Sequence, residues 1–263
     1  MRLFELKFFL LINIAKFLEA TRLVSKSASP TGTYDGEEFL LFQNFFQNWE
    51  GTKLRILDVG ANNGLWAIQL SKVLDDITRV TSHEILCIEP IPDFFEELKI
   101  NSSGRTNIRC LNIAISKSES HITLAQVGNG ATAYSEVQPA GGKNQSYIRV
   151  DSISGDELLK LHGFYPDLIK VDTDGFDFEV IKTFQNFLKN NNVLVQFEYS
   201  FRFAKKAGYS LREMINWLNE LKYDVYVIDK DSKLRRVLIP RLECLNHQTK
   251  NFIALPESSN LLL

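Results

Sequence analysis

The sequence predicts an α/β fold, a mostly parallel sheet covered by helices on both faces. Three observations predict it. Strand-like and helix-like segments alternate along the chain. Several of the strands are apolar on both faces, as strands buried in a parallel sheet must be. Four of those apolar runs close on an acid: Asp58, Glu89, Asp172 and Glu198. Open α/β sheets bind ligands beyond these carboxyl ends, near the switch point, so the four acids are expected to converge on one crevice.

The chain has 263 residues, enough for one sizeable domain with some decoration. A formal net charge of −2 argues against a nucleic-acid partner bound by phosphate neutralisation. Cys87, Cys110 and Cys244 are odd in number and widely spaced, with no CxxC. They read as buried thiols in a reducing, cytoplasmic compartment and not as disulfides or zinc ligands.

Residues 1–50 are read as an N-terminal helical extension with a linker, and residues 51–263 as the main domain. The opening "MRLFELKFFLLINIAKFLEA" is too short and too interrupted, by Lys16 and Glu19, to span a membrane. It lacks a clear small-residue cleavage site. With few basic residues on its face, a helix packed on the domain is favoured over one lying on a membrane surface. "SKSASPTGTYDGEE" reads as linker and "FLLFQNFFQNW" as a helix.

"LRILDV" is the first strand, "GLWAIQLSKVL" a helix and "EILCIEP" the second strand. "PDFFEELKINS" is a helix with Pro92 in its first turn, where a missing N–H costs nothing. "NIRCLNIAI" is the third strand and "HITLAQV" an extra one. Residues 126–146 form a polar, glycine-rich excursion of the kind that is often functional. "YIRVDSI" is a strand, "GDELLKLHG" a helix, "DLIKVDTDG" a strand, "DFEVIKTFQNFLKN" a helix and "NVLVQFEYS" a strand. "SLREMINWLNEL" is a helix capped by Ser210, and "YDVYVID" and "NFIALP" are the last strands.

Gly60 and Gly64 sit in the turn after the first strand. The first permits a tight turn and close approach to a ligand; the second lies at a helix start, where free N–H groups favour polar or anionic atoms. Glu89, ending the second strand, has the position of an acid that holds a ribose hydroxyl pair; it could also simply be a helix-start acid. The turn is G-x-x-x-G and not the G-x-G-x-x-G of nicotinamide enzymes, and Asp58 ahead of it would repel a pyrophosphate. Tyr226 and Lys230 have a Y-x-x-x-K spacing, but on a strand they would lie about 13 Å apart. "DTDGFD" misses the EF-hand pattern because Phe176 stands where an oxygen ligand is needed, so no resident metal site is expected, while a divalent ion shared with substrate stays open.

"ILDVGANNGLW", "CIEP", "NIAIS" and "LIKVDTDGFDFEVI" together, in order and spacing, resemble the FkbM family of S-adenosylmethionine-dependent methyltransferases from about Leu54 to Asp229. The resemblance implies a seven-stranded sheet with an antiparallel last strand, S-adenosylmethionine as cofactor, and O-methylation of a sugar or polyketide hydroxyl. It also implies that Asp58, Gly60, Ala61, Asn62 and Gly64 surround the methionine end, with Asp58 facing the ammonium directly or through water. Glu89, followed by Pro90, would hold the ribose, Ala114 would line the adenine, and Asp172, perhaps with Asp174, would lie near the methyl. The family more often has a valine-glutamate-glycine string where this chain has "DTDG", which puts Asp174's role in doubt.

Such a transfer needs a base for the acceptor hydroxyl, and Asp172 and Glu198 are the candidates by position, with His162 behind them. Asp172 could instead be satisfied by helix N–H groups, and Glu198 by Arg202. Two other functions stay open: an NAD(P)-dependent oxidoreductase, and a non-catalytic relative that binds the cofactor or a protein partner.

Overall fold

The computed structural model describes residues 37–47, 49, 51, 53–117, 120–127, 131–134, 145–228, 233–238 and 249–257. The helix expected over residues 1–20, Tyr34, Lys230, Cys244 and most of the 126–146 excursion lie outside the described residues.

Helix α1 (Glu37–Gln47) precedes β1 (Lys53–Val59), α2 (Leu65–Asp75), β2 (Ser82–Ile88), α3 (Pro92–Ser102) and β3 (Ile108–Leu111). Then come β4 (Ala114–Ile115), β5 (Ser120–Val127), β6 (Ala131–Tyr134) and β7 (Gln145–Ile153). The chain continues through α4 (Gly155–His162), β8 (Leu168–Val171), α5 (Asp177–Lys182), α6 (Gln185–Asn190) and β9 (Leu194–Tyr199). It closes with α7 (Phe201–Ala207), α8 (Leu211–Glu220), β10 (Tyr223–Ile228), β11 (Leu234–Arg236) and β12 (Lys250–Pro256).

Among the described residues the main sheet has eight strands in the order β11-β10-β12-β9-β8-β1-β2-β3. From β3 to β9 all neighbours are parallel, whereas β12 runs antiparallel to both β9 and β10. The last described strand therefore runs antiparallel to its neighbours, as expected. The count is eight and not seven because the chain turns back after β10 and lays β11 antiparallel along it. The segment "LRR" has no apolar alternation to announce a strand, and its charges suit an exposed sheet edge.

Period-two alternation divides the sheet's side chains between two cores. Leu57, Val59, Leu86, Ile88, Ile169, Val171, Val195 and Phe197 pack against α4–α8 on one face. Leu54, Ile56, Ile85, Cys87, Leu168 and Leu194 pack against α1–α3 on the other. Helix α1 is fixed there by aromatic contacts of Phe39 and Phe42 with Trp66, at 6.1 and 6.2 Å between ring centroids. Cys87 is buried and Cys110 half-buried, opposite each other on β2 and β3, and both are free thiols.

Two expected elements divide. The single strand over "NIRCLNIAI" becomes β3 in the main sheet and β4 in a separate four-stranded sheet ordered β4-β7-β5-β6. Asn112 makes the break: its side-chain amide donates to the Glu89 and Pro90 carbonyls at 2.8 and 3.0 Å, so the chain leaves the ladder there. The single helix over residues 177–190 stops at Thr183. The Thr183 hydroxyl donates to the Val180 carbonyl (2.6 Å) and accepts from Gly155 N–H (2.9 Å), competing with helix hydrogen bonding. By contrast Ser210 caps α8 as expected, in a reciprocal capping box with Glu213. The strand order reverses between β1 and β8, and a crevice opens beyond their carboxyl ends.

Candidate active site

A cavity of about 360 Å³ occupies that crevice. One wall is the turn after β1 (Gly60, Asn62) and the end of β2 (Glu89, Pro90, Ile91). The segment Ala114–Lys117 continues it, and Ile122 and Leu124 of β5 cover it from the small sheet. Asp172, Thr173, Asp174, Phe176 and Glu179 form the opposite wall. Among the residues singled out by sequence, the cavity thus collects Gly60, Asn62, Glu89, Pro90, Ala114, Asp172 and Asp174. Asp58, Ala61, Gly64 and Glu198 do not line it.

The two glycines of the turn serve different ends. Gly60 has φ +78°, and a Cβ on it would lie 1.9 Å from the Asp172 carbonyl oxygen. The turn is thus pressed against the β8 end, and Asp172 N–H donates to the Val59 carbonyl at 3.0 Å. Gly64 caps α2 at φ +82°, where a Cβ would meet the Leu98 side chain at 2.4 Å. Its smallness lets α2 and α3 approach each other. Asn62, at φ +50°, stands where a dinucleotide fingerprint has its middle glycine, and its side chain accepts from Asn63 N–H at 2.7 Å.

Glu89 is only 5% exposed. Its two carboxylate oxygens accept the N–H groups of Asn62 and Ile91, each at 2.8 Å. Burial pushes its pKa up to about 7, against the pull of those two hydrogen bonds. Each oxygen keeps a second lone pair, so the group can meet a pair of hydroxyls as acceptor or, when protonated, as donor.

Asp58 has no exposed surface and does not line the cavity. It meets Lys170 instead, with Nζ 3.0 Å from Oδ1. Burial raises the Asp58 pKa and Lys170 draws it back down. Lys170 was not singled out by the sequence reading, although a signal existed. "LIKV" places one lysine in an apolar strand, and the β1–β8 register sets it opposite Asp58 and the β8–β9 register opposite Gln196. A buried charge on a buried strand demands a partner of opposite sign.

The "DTDGFD" loop is organised by Asp177, which is 1% exposed and accepts from Thr173 and Gly175 N–H at 3.4 and 3.1 Å. Burial, then the nearby Asp172, pushes its pKa up to about 8. Asp177 therefore holds the loop and does not face the cavity. Glu198 ends β9 beside this group. Burial first, then Asp172, Asp177 and Asp174, raise its pKa to about 9. Thr173, on the cavity wall, carries a hydroxyl without a hydrogen-bond partner among the described residues, a position the sequence gave no reason to select. At the cavity mouth Lys117 and Glu179 form an ion pair at 2.5 Å. Among the described residues no group of three or more His, Cys, Asp or Glu side chains could hold a metal ion. No described helix is long and apolar enough to cross a membrane.

This site can bind a ligand through hydroxyls at Glu89 and present to it a carboxylate, Asp172. Residues 58–225 match the family described as "Methyltransferase FkbM domain". The chain is similar to hexuronic acid methyltransferase AglP of Haloferax volcanii, 29% identical over 140 residues, 52% of this chain and 53% of that protein. It therefore spans about half the length of that curated relative. Among solved structures, an FkbM methyltransferase from Methylobacillus flagellatus KT aligns over 92% of this chain and 60% of its own, with 12% identity and a TM-score of 0.45. Precorrin-6y C5,15-methyltransferase from Geobacter metallireducens GS-15 aligns over 88% and 93%, with 12% identity and a TM-score of 0.45.

Proposed function

The chain belongs to the FkbM methyltransferase family, and from that premise we propose that it moves a methyl group from S-adenosylmethionine to a hydroxyl of a saccharide or related metabolite. The observation that carries the reading is the single cavity joining Glu89 to Asp172 across the switch point. The residues present fit the cofactor. The tight Gly60 turn, a buried acid with two ribose-competent oxygens, and the small Ala114 all line the one cavity. In this assignment Glu89 holds the ribose hydroxyls, with Pro90 beside it, Ala114 lines the adenine, and the Gly60–Gly64 turn borders the methionine end. Asp58 acts behind that turn, through Lys170.

The bound cofactor would supply an electrophilic sulfonium methyl. The protein's part is to align the acceptor oxygen with it, exclude water, and take the hydroxyl proton. Asp172 is the base in this proposal, because it lines the cavity with its side chain 28% exposed. Glu198 does not line the cavity, and burial with the neighbouring acids raises its pKa to about 9, which keeps it protonated at neutral pH. The acceptor class is suggested by the hexuronic acid in the relative's name.

Calorimetric titration with S-adenosylmethionine tests the reading, and a folded protein that does not bind it would sink the proposal. Methyl transfer from labelled cofactor to uronic acids and neutral saccharides then identifies the acceptor. Protection against unfolding by NAD(P) and not by S-adenosylmethionine would favour an oxidoreductase. Binding without turnover of any acceptor would favour the non-catalytic relative.

A further inference from the structure

Resting on that reading, we infer that Lys170 is a positioning residue that fixes Asp172 against the Gly60 turn, so that cofactor site and reacting carboxylate keep one spacing. The Lys170 ammonium lies 3.0 Å from Asp58 Oδ1, 3.3 Å from the Gly60 carbonyl and 3.5 Å from Asp172 Oδ2. These contacts reach three consecutive parts of the site: the end of β1, the turn behind it, and the end of β8. The Trp66 ring covers the same ammonium, with its centroid 5.4 Å away.

The exposure of the members falls from front to back. The Asp172 side chain is 28% exposed and lines the cavity, while those of Lys170 and Asp58 are 3% and 0% exposed. Lys170 therefore touches nothing that enters the cavity, and acts through Asp172 and the turn. An ammonium has three protons, enough to serve Asp58, Gly60 and Asp172 together. Asp172 also faces like charge, since Asp174, Asp177 and Glu198 crowd the same end of the sheet. Without the lysine, that repulsion and Asp172's own exposure would let its carboxylate swing toward solvent.

The alternative is that Lys170 merely neutralises Asp58. The full chain with S-adenosylmethionine alone as probe separates the two. Lys170→Met by itself strands a buried Asp58, so the informative variant is Asp58→Asn/Lys170→Met, which removes both charges and keeps the volume. A positioning role predicts that this double variant melts cooperatively yet binds S-adenosylmethionine about tenfold more weakly. It also predicts that Asp172→Asn changes affinity less in that background than in the native one, because the two positions work as a unit. Native affinity in the folded double variant, or the same fold-change for Asp172→Asn in both backgrounds, would overturn the inference. Should that pair fail to fold, Asp58→Asn/Lys170→Gln supplies a neutral pair in which both members hydrogen-bond, and is read the same way. A native protein that does not bind S-adenosylmethionine would instead overturn the proposed function.

Discussion

Two polar clusters sit at opposite ends of the parallel strands, and they have opposite characters. At the amino ends of β2 and β3, the Ser71 hydroxyl meets His83 Nε2 (2.8 Å), Arg105 (2.6 Å) and Asn107 (3.0 Å). Asn107 also reaches His83 Nε2 at 2.6 Å, and Arg105 reaches Asp75 at 3.1 Å. By composition this is a serine, a histidine and an aspartate. By geometry it is no triad, because serine and aspartate both approach the same ring nitrogen, so no relay through the imidazole exists. At the carboxyl ends, Asp58, Lys170, Asp172 and Glu198 form a cluster in which Asp172 opens on a cavity and burial raises the pKa values of Asp58 and Glu198. The first cluster spends its hydrogen bonds within itself, whereas beside the second Asp172 and Glu89 line a cavity and keep acceptor capacity toward it. Residue types alone would not separate them; saturation and access do.

The sharpest way to break this contrast is at the buried charge. Lys170→Met should destabilise the protein by about 3–5 kcal/mol, because Asp58 is left buried without a counter-ion. A denaturant melt with a loss below about 1 kcal/mol would mean that Asp58 is neutral in the native state. Next in size, Gly60→Ala should abolish measurable S-adenosylmethionine binding. The added Cβ would sit 1.9 Å from the Asp172 carbonyl, so the turn must move away from the cavity wall. Native affinity in this variant would show that the turn does not contact cofactor.

A pair of substitutions tests the clusters against each other. Glu89→Ala should weaken S-adenosylmethionine binding by about 10- to 100-fold, the worth of hydrogen bonds to a charged group. Ser71→Ala should cost about 1–3 kcal/mol of stability, since Arg105 and Asn107 lose their acceptor, and leave cofactor affinity unchanged. If Ser71→Ala impaired binding as much as Glu89→Ala, the division into a structural and a functional cluster would fail.

The last test is the pH dependence of stability, whose sign differs between the carboxyls at the cavity end and His83. Glu89, Asp177 and Glu198 have folded pKa values raised to about 7, 8 and 9. Between the unfolded carboxyl value and these values the native state binds more protons, so their contribution is complete in acid and is lost as pH rises toward 9. His83 is shifted the other way, lowered mainly by burial. Its contribution is present above the unfolded histidine value and is lost as pH falls through the folded one. Thermal melts should therefore show stability declining from about pH 5 to pH 9, with Glu198→Gln flattening the alkaline limb. An unchanged alkaline limb in Glu198→Gln would mean that this carboxyl is already ionised in the native state.

The sheet was readable because its strands are local and apolar. "LRILDV", "EILCIEP" and "NVLVQFEYS" each carry the run and the terminal acid that mark a buried parallel strand, and each appears where expected. Ser210 and Pro92 signalled the starts of their helices for reasons confined to one turn of chain. What escaped was non-local. Asn112 ends β3 by reaching Glu89 and Pro90, more than twenty residues back. Thr183 divides a helix by binding Gly155, and β11 exists only because β10 offers it an edge.

By itself, then, the sequence determined the α/β class, the switch-point crevice and the cavity positions of Gly60, Asn62, Glu89, Ala114 and Asp172, since each follows from a strand end or a turn written in consecutive residues. Only the tertiary structure decided that Asp58 lies behind the cavity, that Asp177 is a loop organiser, and that Lys170 joins the end of β1 and its turn to the end of β8. The physical reason is that exposure and charge pairing depend on which strands become neighbours. Asp58 and Lys170 are 112 positions apart in the chain and directly opposed in the sheet.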